Sequence, residues 1–243
     1  MPGFWKILKK SFVDSYECLG LVLVSSVVWF GVVLCVAALV VKIGRCCNPA
    51  ILLGSAVVLY MFLVAPVTAG VYALAKKIVV RDDPSLLDLS AGFREFLTAS
   101  WALGFAQAFI TFVIAVNAWF YLTHGGPALR ILGILFVYLF LFWVFSAIYH
   151  FPILIEQRPG VLKILKRGFL LTMGNMTSTI GLFSVIILLT CFCIATLVGL
   201  PLLYSGMASI LQTRALRALF VRYELLPPEK EYTSDENTAT EKA

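Results

Sequence analysis

Long apolar runs separated by short polar segments dominate this chain, and they cover roughly residues 19–41, 51–75, 98–122, 129–155, 177–198 and 200–220. An α-helix rises about 1.5 Å per residue, so about 20 apolar residues cross the hydrocarbon of a bilayer. Apolar runs without alternation are typical of spanning helices and not of strands. The pattern predicts an all-α polytopic transmembrane bundle, a single domain over residues 1–226.

The last apolar stretch, residues 180–211, fits either one helix or two. As one helix it would measure about 48 Å, against about 30 Å of hydrocarbon. A break at Gly199-Leu200-Pro201 gives six spans, but Gln212, Arg214 and Arg217 then have to extend toward the headgroups. Six spans place 16 of the 19 Lys and Arg residues on one side of the membrane, whereas five spans place 11 there. The positive-inside rule favours six spans with both termini cytoplasmic, and five spans are the alternative.

Three basic amphipathic segments, residues 4–17, 86–97 and 161–169, each precede a pair of apolar runs. In the first, one face carries Phe4, Leu8, Phe12 and Tyr16, and the opposite face carries Lys6, Lys10, Asp14 and Glu17. Helices of this kind lie in the headgroup plane, so we predict three interfacial helices on the cytoplasmic side. Cations there contact anionic lipid. The candidate lipid contacts are Lys6, Lys9, Lys10, Lys76, Lys77, Lys163, Lys166 and Arg167.

These junctions also suggest an internal repeat. The segments around Phe12, Phe93 and Phe169 superpose on their Phe at spacings of 81 and 76 residues. This predicts three copies of a helix plus a transmembrane hairpin, over residues 4–75, 84–155 and 160–222. The alternative is that any polytopic protein needs basic amphipathic junctions of this kind.

Composition excludes several classes of function. Apolar residues make up 61% of the chain and charged residues 13%, with a mean hydropathy of +0.96. The net charge of +6 comes from cations that flank apolar runs, which predicts lipid contact and no nucleic-acid partner. The acidic, polar tail 227–243 is predicted to be disordered.

Neither the cysteines nor the histidines form a known metal motif, so no metal or other cofactor is predicted. A disulfide or metal role for the neighbouring Cys46 and Cys47 stays open. His124 and His150 are predicted at opposite membrane faces, and Ser146 belongs to no recognised nucleophile motif. No catalytic residue is therefore predicted.

A few polar and helix-distorting residues lie within the apolar runs. Gln107, Asn117 and His150 are candidates to line a cavity or to join helices by hydrogen bonds. Pro66, Gly70 and Pro201 are candidate kinks or breaks, since proline removes a helical hydrogen bond and bends the helix.

The segments PVTAGVYALAKKIV and GFREFLTASWALGF resemble the YesL-like family of small bacterial integral membrane proteins. The matching positions are Pro66, Thr68, Ala69, Tyr72, Ala73, Lys77, Phe93, Arg94, Phe96, Pro201 and Gly206. The chain departs from that family at Ala65, where a Gly often precedes the Pro. The resemblance implies a multi-pass protein of the bacterial cytoplasmic membrane, from a family largely uncharacterised and associated with carbohydrate uptake in some bacteria.

Three functions follow, in order of preference. The first is a non-enzymatic accessory or scaffold for a membrane transporter or an envelope machine, because no charged residue lies deep in the first five spans, where coupled transporters usually carry one. The alternative is a small-solute transporter or channel without buried charged coupling residues. A membrane enzyme is the least favoured.

Overall fold

The computed structural model describes residues 2–44, 49–124, 126–196 and 199–225 of the chain. Within these ranges the regular structure is entirely helical, and five helices are long and apolar enough to span a membrane. This confirms the all-α class for the described residues, and the five candidate spans support a membrane protein. Cys46, Cys47, the tail 227–243 and the side chains of Phe4 and Lys6 lie outside the described residues.

The helices follow one another with short connections. In chain order they are α1 (Pro2–Glu17), α2 (Leu19–Gly44), α3 (Pro49–Leu59), a π-helical turn (Tyr60–Val64), α4 (Ala65–Val80), α5 (Leu86–Glu95), α6 (Leu97–His124), α7 (Pro127–Ala147), α8 (His150–Gln157), α9 (Val161–Gly174), α10 (Met176–Thr196), a second π-helical turn (Leu200–Tyr204) and α11 (Ser205–Arg222). The candidate spans are Leu19–Gly44, Gly54–Val80, Leu97–His124, Leu129–Gln157 and Met176–Thr196.

The same order of elements occurs three times. A short helix ends at Glu17, Glu95 or Gly174, and one non-helical residue (Cys18, Phe96 or Asn175) separates it from a long helix. A further helical segment then returns toward the start. The break comes six residues after Phe12 and Phe169 but three after Phe93, so the junctions do not share one register. Since a shared element order does not establish that the segments are copies, the threefold repeat stays a prediction.

Each returning segment contains a proline and an irregular turn. Pro66 and Pro201 lie next to or within the π-helical turns, and Pro152 follows the turn between α7 and α8. Proline has no N–H to donate, so the carbonyl of Phe62 receives no hydrogen bond from Pro66, four residues later. The indole Nε1 of Trp101 donates to that carbonyl at 3.4 Å. Gly70 lies ten residues after the start of the first π-helical turn, within regular α4.

The segment from Leu200 to Arg222 runs back along α10. Near its end, the Arg222 guanidinium contacts Asn175 Oδ1 at 3.4 Å, and Asn175 Nδ2 donates to the Tyr223 hydroxyl at 2.8 Å. Asn175 immediately precedes α10, so the chain has returned to the end of the bundle where α10 starts. The described residues between 180 and 211 therefore fall into two antiparallel helical segments, one that ends at Thr196 and one that includes Leu200–Tyr204 and α11.

α11 lies inside the bundle although it is not among the five apolar helices. Eleven of its 18 residues are buried, from Ser205 to Phe220. It packs against α1, α2, α4 and α8, so Ser209, Thr213 and Arg214 face protein. The remaining core is formed by α4, α8 and the first turns of α2, α6 and α10. The packed core therefore lies at the end of the bundle where α4, α8 and α11 finish.

Glycine permits two close helix contacts. At Gly206 an added Cβ would lie 2.9 Å from the carbonyl oxygen of Val22, and the Gly206 N–H donates to Ser26 Oγ at 2.9 Å. At Gly92 an added Cβ would lie 2.4 Å from the Cβ of Ala73, where α5 crosses α4. Gly70 contributes to the same crossing, since its Cβ would lie 2.7 Å from the carbonyl oxygen of Leu89.

α1 does not have the face that its pattern predicts. Asp14 is 1% exposed and lies on the buried side with Leu8, Ser11 and Ser15, whereas Tyr16 is 80% exposed. The reason is that α1 packs on the polar helix α11, so Ser11, Asp14 and Ser15 face protein, whereas Phe12 and Tyr16 face outward.

Gly92→Ala is expected to destabilise the fold by about 1–3 kcal/mol, because the methyl group has no room at the crossing of α4 and α5. The measurement is the midpoint of thermal unfolding in detergent. The matched control is Gly54→Ala in α3, where an added Cβ meets nothing within 4 Å. That variant should be neutral or gain up to about 1 kcal/mol from helix propensity. Equal midpoints for the two variants would contradict the packing described here.

Candidate functional site

A cavity of about 780 Å³ lies between α3, α6 and α7, next to the first π-helical turn. Val57 and Tyr60 form one wall, residues of α6 from Gln107 to Trp119 form the second, and residues of α7 from Phe140 to Ala147 form the third. Most of the lining is apolar. A volume of this size is typical of small-molecule sites.

Polar side chains from three helices meet at the floor of the cavity. Gln107 of α6, Tyr72 of α4 and Gln212 of α11 all line it. The Tyr72 hydroxyl donates to Gln212 Oε1. The Tyr72 ring stacks on Phe151 with a centroid distance of 5.8 Å and an interplanar angle of 9°. Two floor residues that are 140 positions apart in the chain are therefore joined by a hydrogen bond, and Gln107 lines the same cavity.

His150 fixes the position of Gln107 from behind the cavity wall. Gln107 Nε2 donates to His150 Nδ1 at 2.9 Å, and His150 Nε2 lies 3.2 Å from Ser146 Oγ. His150 has no solvent exposure, and Gly168 of α9 packs so closely that an added Cβ would lie 2.7 Å from the ring. An Nδ1 that accepts and an Nε2 that donates belong to a neutral imidazole, so the His150 ring joins α6 to α7 without a charge.

The Ser146–His150–Gln107 chain has the connectivity of a nucleophile, a base and an orienting group. Its surroundings do not suit catalysis. Ser146 and His150 are both 0% exposed, and neither lines the cavity. A substrate would have to displace packed helices to reach Ser146 Oγ. The geometry fits a structural link between helices.

Thr111 and Trp143 join α6 and α7 above the floor. Trp143 Nε1 donates to Thr111 Oγ1 at 3.0 Å, and both residues line the cavity. On the neighbouring helices, Trp29 Nε1 donates to Thr68 Oγ1 at 2.9 Å. Each indole N–H is satisfied by a hydroxyl within the bundle, which holds the aromatic rings in fixed orientations.

The three polar candidates from the sequence separate into two groups. Gln107 and His150 are brought together, and Gln107 faces the cavity. Asn117 does not line the cavity, and its Nδ2 donates to the carbonyl of Val113 in its own helix at 2.7 Å. Pro66 lies beside the π-helical turn that carries Tyr60 into the wall. Pro201 lies in the second π-helical turn, away from the cavity.

The candidate lipid-contact cations also divide. The side chains of Lys9, Lys163, Lys166 and Arg167 are exposed, although Arg167 also donates to Gln157 Oε1. Lys76 lies 3.5 Å from Glu156 and donates to the carbonyl of Ile155 at 3.3 Å. Lys77 lies 2.8 Å from Asp88, and its hydrogen bond lowers the pKa of that carboxyl. Lys10 is half-buried.

Buried ion pairs at the core end were not predicted from the sequence. Arg214 of α11 pairs with Asp14 of α1, and the two residues are 4% and 1% exposed. Arg81 lies 3.7 Å from Asp14, and Arg217 donates to Glu156 at 3.2 Å. The prediction that Arg214 extends to the headgroups is therefore wrong. The position of Arg214 within the last apolar run is the sequence feature that could have indicated a buried ion pair. Its partner Asp14 is 200 residues away in sequence, and no local pattern identifies it.

Metal ligands are not gathered anywhere in the described ranges, since no group of three or more His, Cys, Asp or Glu side chains lies close enough to hold an ion. Cys18, Cys35, Cys191 and Cys193 are free thiols.

Asp14→Asn is expected to destabilise the protein by about 3–5 kcal/mol, because it leaves the Arg214 guanidinium buried without its anion. Thermal unfolding in detergent measures this effect. The matched control is Glu17→Gln, which removes the exposed partner of Arg81 and should cost about 1 kcal/mol or less. The double variant Asp14→Leu/Arg214→Met should recover much of the loss. If Asp14→Asn were as stable as Glu17→Gln, the ion pair would not support α11.

No family model, curated protein or solved structure matches the chain. The resemblance to the YesL-like family therefore stays a prediction.

Proposed function

We propose that this chain is a non-enzymatic integral membrane protein that binds a small, mainly apolar molecule in the cavity between α3, α6 and α7. This is the small-solute alternative, narrowed to a molecule that partitions into lipid. The supporting observation is the convergence of Gln107, Tyr72 and Gln212 on the floor of an otherwise apolar cavity. Polar side chains cost free energy in such surroundings unless they are paired, so their meeting at one surface favours a binding role.

The same cavity does not suit a free sugar. A sugar presents hydroxyls on all sides, and apolar walls would leave most of them without partners. The association with carbohydrate uptake that the family resemblance implies is therefore better matched by the accessory role than by sugar binding in this cavity.

An accessory or scaffold role for a transporter or envelope machine is the second proposal. It is favoured by apolar side chains on the short helices, since Trp5, Leu87 and Leu162 are exposed on α1, α5 and α9. Such side chains insert into the headgroup region or contact a partner.

We further propose six spans, with the segment from Leu200 to Arg222 as the sixth and both termini on the cytoplasmic side of the bacterial inner membrane. Support comes from the contacts of Arg222 and Tyr223 with Asn175, which bring the end of α11 to the start of α10. The exposed cations of α9 lie near this end of the bundle, as the positive-inside rule favours for the cytoplasmic side.

A reporter fused after Ala243 should give a cytoplasmic signal if this topology is right. The control is a fusion after Lys42, at the other end of α2, which should give a periplasmic signal. A periplasmic signal after Ala243 would favour the five-span alternative.

Filling the cavity should abolish retention of its ligand. We expect wild-type protein purified in mild detergent to carry an apolar molecule that is detectable by mass spectrometry of its organic extract. Ala115→Trp fills the cavity wall and should remove that molecule, whereas Ala102→Trp, at an exposed position of the same helix that does not line the cavity, should retain it. Retention that does not differ between the two variants would refute binding in this cavity.

A further inference from the structure

The floor of the cavity has unused hydrogen-bonding capacity of both kinds. Gln212 Oε1 accepts from Tyr72, but Gln212 Nε2 makes no hydrogen bond among the described residues. Gln107 Nε2 donates to His150, and Gln107 Oε1 likewise has no partner in the part of the chain described. An amide donor and a carbonyl acceptor on two different helices therefore remain available to a ligand.

The lining carries no charge. None of the described residues that form the cavity is Asp, Glu, Lys or Arg. His150 lies behind Gln107, and its Nδ1 accepts a hydrogen bond, which assigns the neutral ring. An ionised ligand would lose its hydration here without meeting a counter-charge, at a cost of several kcal/mol.

The cavity is elongated and apolar beyond the floor. Gln107 and Trp119 are separated by twelve residues of α6, or about 18 Å. Phe112 and Trp119 are exposed, so this wall reaches the surface of the bundle that faces the bilayer. A ligand with a long apolar body would therefore enter sideways from the lipid.

We infer that the cavity takes a neutral amphiphile with one hydroxyl or primary carboxamide on an elongated apolar body, and that this group sits between Gln107 and Gln212. The inference rests on the proposed binding function and adds the ligand class. A hydroxyl both donates and accepts, so it satisfies the amide donor of Gln212 and the carbonyl acceptor of Gln107 together. A plain hydrocarbon satisfies neither, and a carboxylate or ammonium group brings an unpaired charge.

The test is a matched series of radiolabelled probes with one chain length: dodecanol, dodecanamide, dodecane, dodecanoate and dodecylammonium. Each is equilibrated with the full-length protein in phosphatidylcholine nanodiscs, at a pH that keeps the acid and the amine ionised, and binding to empty nanodiscs is subtracted. We expect the alcohol and the amide to bind about tenfold more tightly than dodecane, since two hydrogen bonds contribute about 1.4 kcal/mol together. The two ionised probes should bind no better than dodecane.

Variants locate the preference. Gln212→Leu removes one of the two hydrogen bonds and should reduce the tenfold preference to about threefold while dodecane binding persists. Asn117→Leu removes an amide from the same bundle outside the cavity and should leave the preference unchanged. Size-exclusion chromatography and the unfolding midpoint identify a variant that fails to fold, and Gln107→Leu then provides a second test of the floor.

The outcomes separate the two claims. Equal binding of dodecane and dodecanol, tightest binding of an ionised probe, or a tenfold preference that neither glutamine variant reduces would overturn the ligand class and leave cavity binding intact. Absence of specific binding for every probe would overturn the proposed function and the ligand class with it.

Discussion

The pairing of Asp14 with Arg214 is the interaction on which the architecture depends most. α11 carries three arginines among its 18 residues, so lipid would be a poor solvent for it. It is surrounded by α1, α2, α4 and α8 instead, and the one arginine that is almost fully buried meets an aspartate from the first helix of the chain. The first and last helices are thereby fastened to each other across 200 residues of sequence.

The position of this charged core determines where the cavity lies. The ion pairs, the buried part of α8 and the close glycine contacts all occur at one end of the bundle. Toward the other end, α6 and α7 present mostly exposed side chains, and the space between them and α3 is not filled. The floor of the cavity is the boundary between these two regions, because Tyr72, Gln107 and Gln212 lie at the edge of the packed core.

The apolar runs predicted the five long helices well, because a stretch of about 20 apolar residues has few alternatives to a membrane-spanning helix. Pro201 also predicted the break before α11, since proline interrupts helical hydrogen bonding. The pattern of apolar residues did not predict that Asp14 is buried. The amphipathic pattern of α1 predicts a helix in the headgroup plane, but α1 packs against the polar helix α11 through the face that carries Asp14.

Within the candidate site, the sequence identified Gln107 and His150 as polar residues in apolar surroundings, but not that they contact each other. It also identified neither Tyr72 nor Gln212 as part of the floor. Tyrosine in an apolar helix is common at membrane interfaces, so Tyr72 gives no specific signal of a cavity. Gln212 lies close to Arg214 and Arg217 in sequence, a polar context that predicts contact with headgroups. The meeting of these side chains depends on how α4, α6 and α11 cross, and a single sequence contains no direct record of helix crossings.

The π-helical turn at Tyr60–Val64 has a consequence for the phase of the helix that contains it. A turn of this kind inserts one extra residue, which rotates everything on its N-terminal side by about 100° relative to an uninterrupted α-helix. Val57 and Tyr60 owe their orientation toward α6 to that rotation. If the π-helical turn became regular α-helix, α3 would rotate about its own axis while α4 stayed packed in the core. Val57 and Tyr60 would then face away from the cavity, and other residues of α3 would form that wall although no helix had changed position.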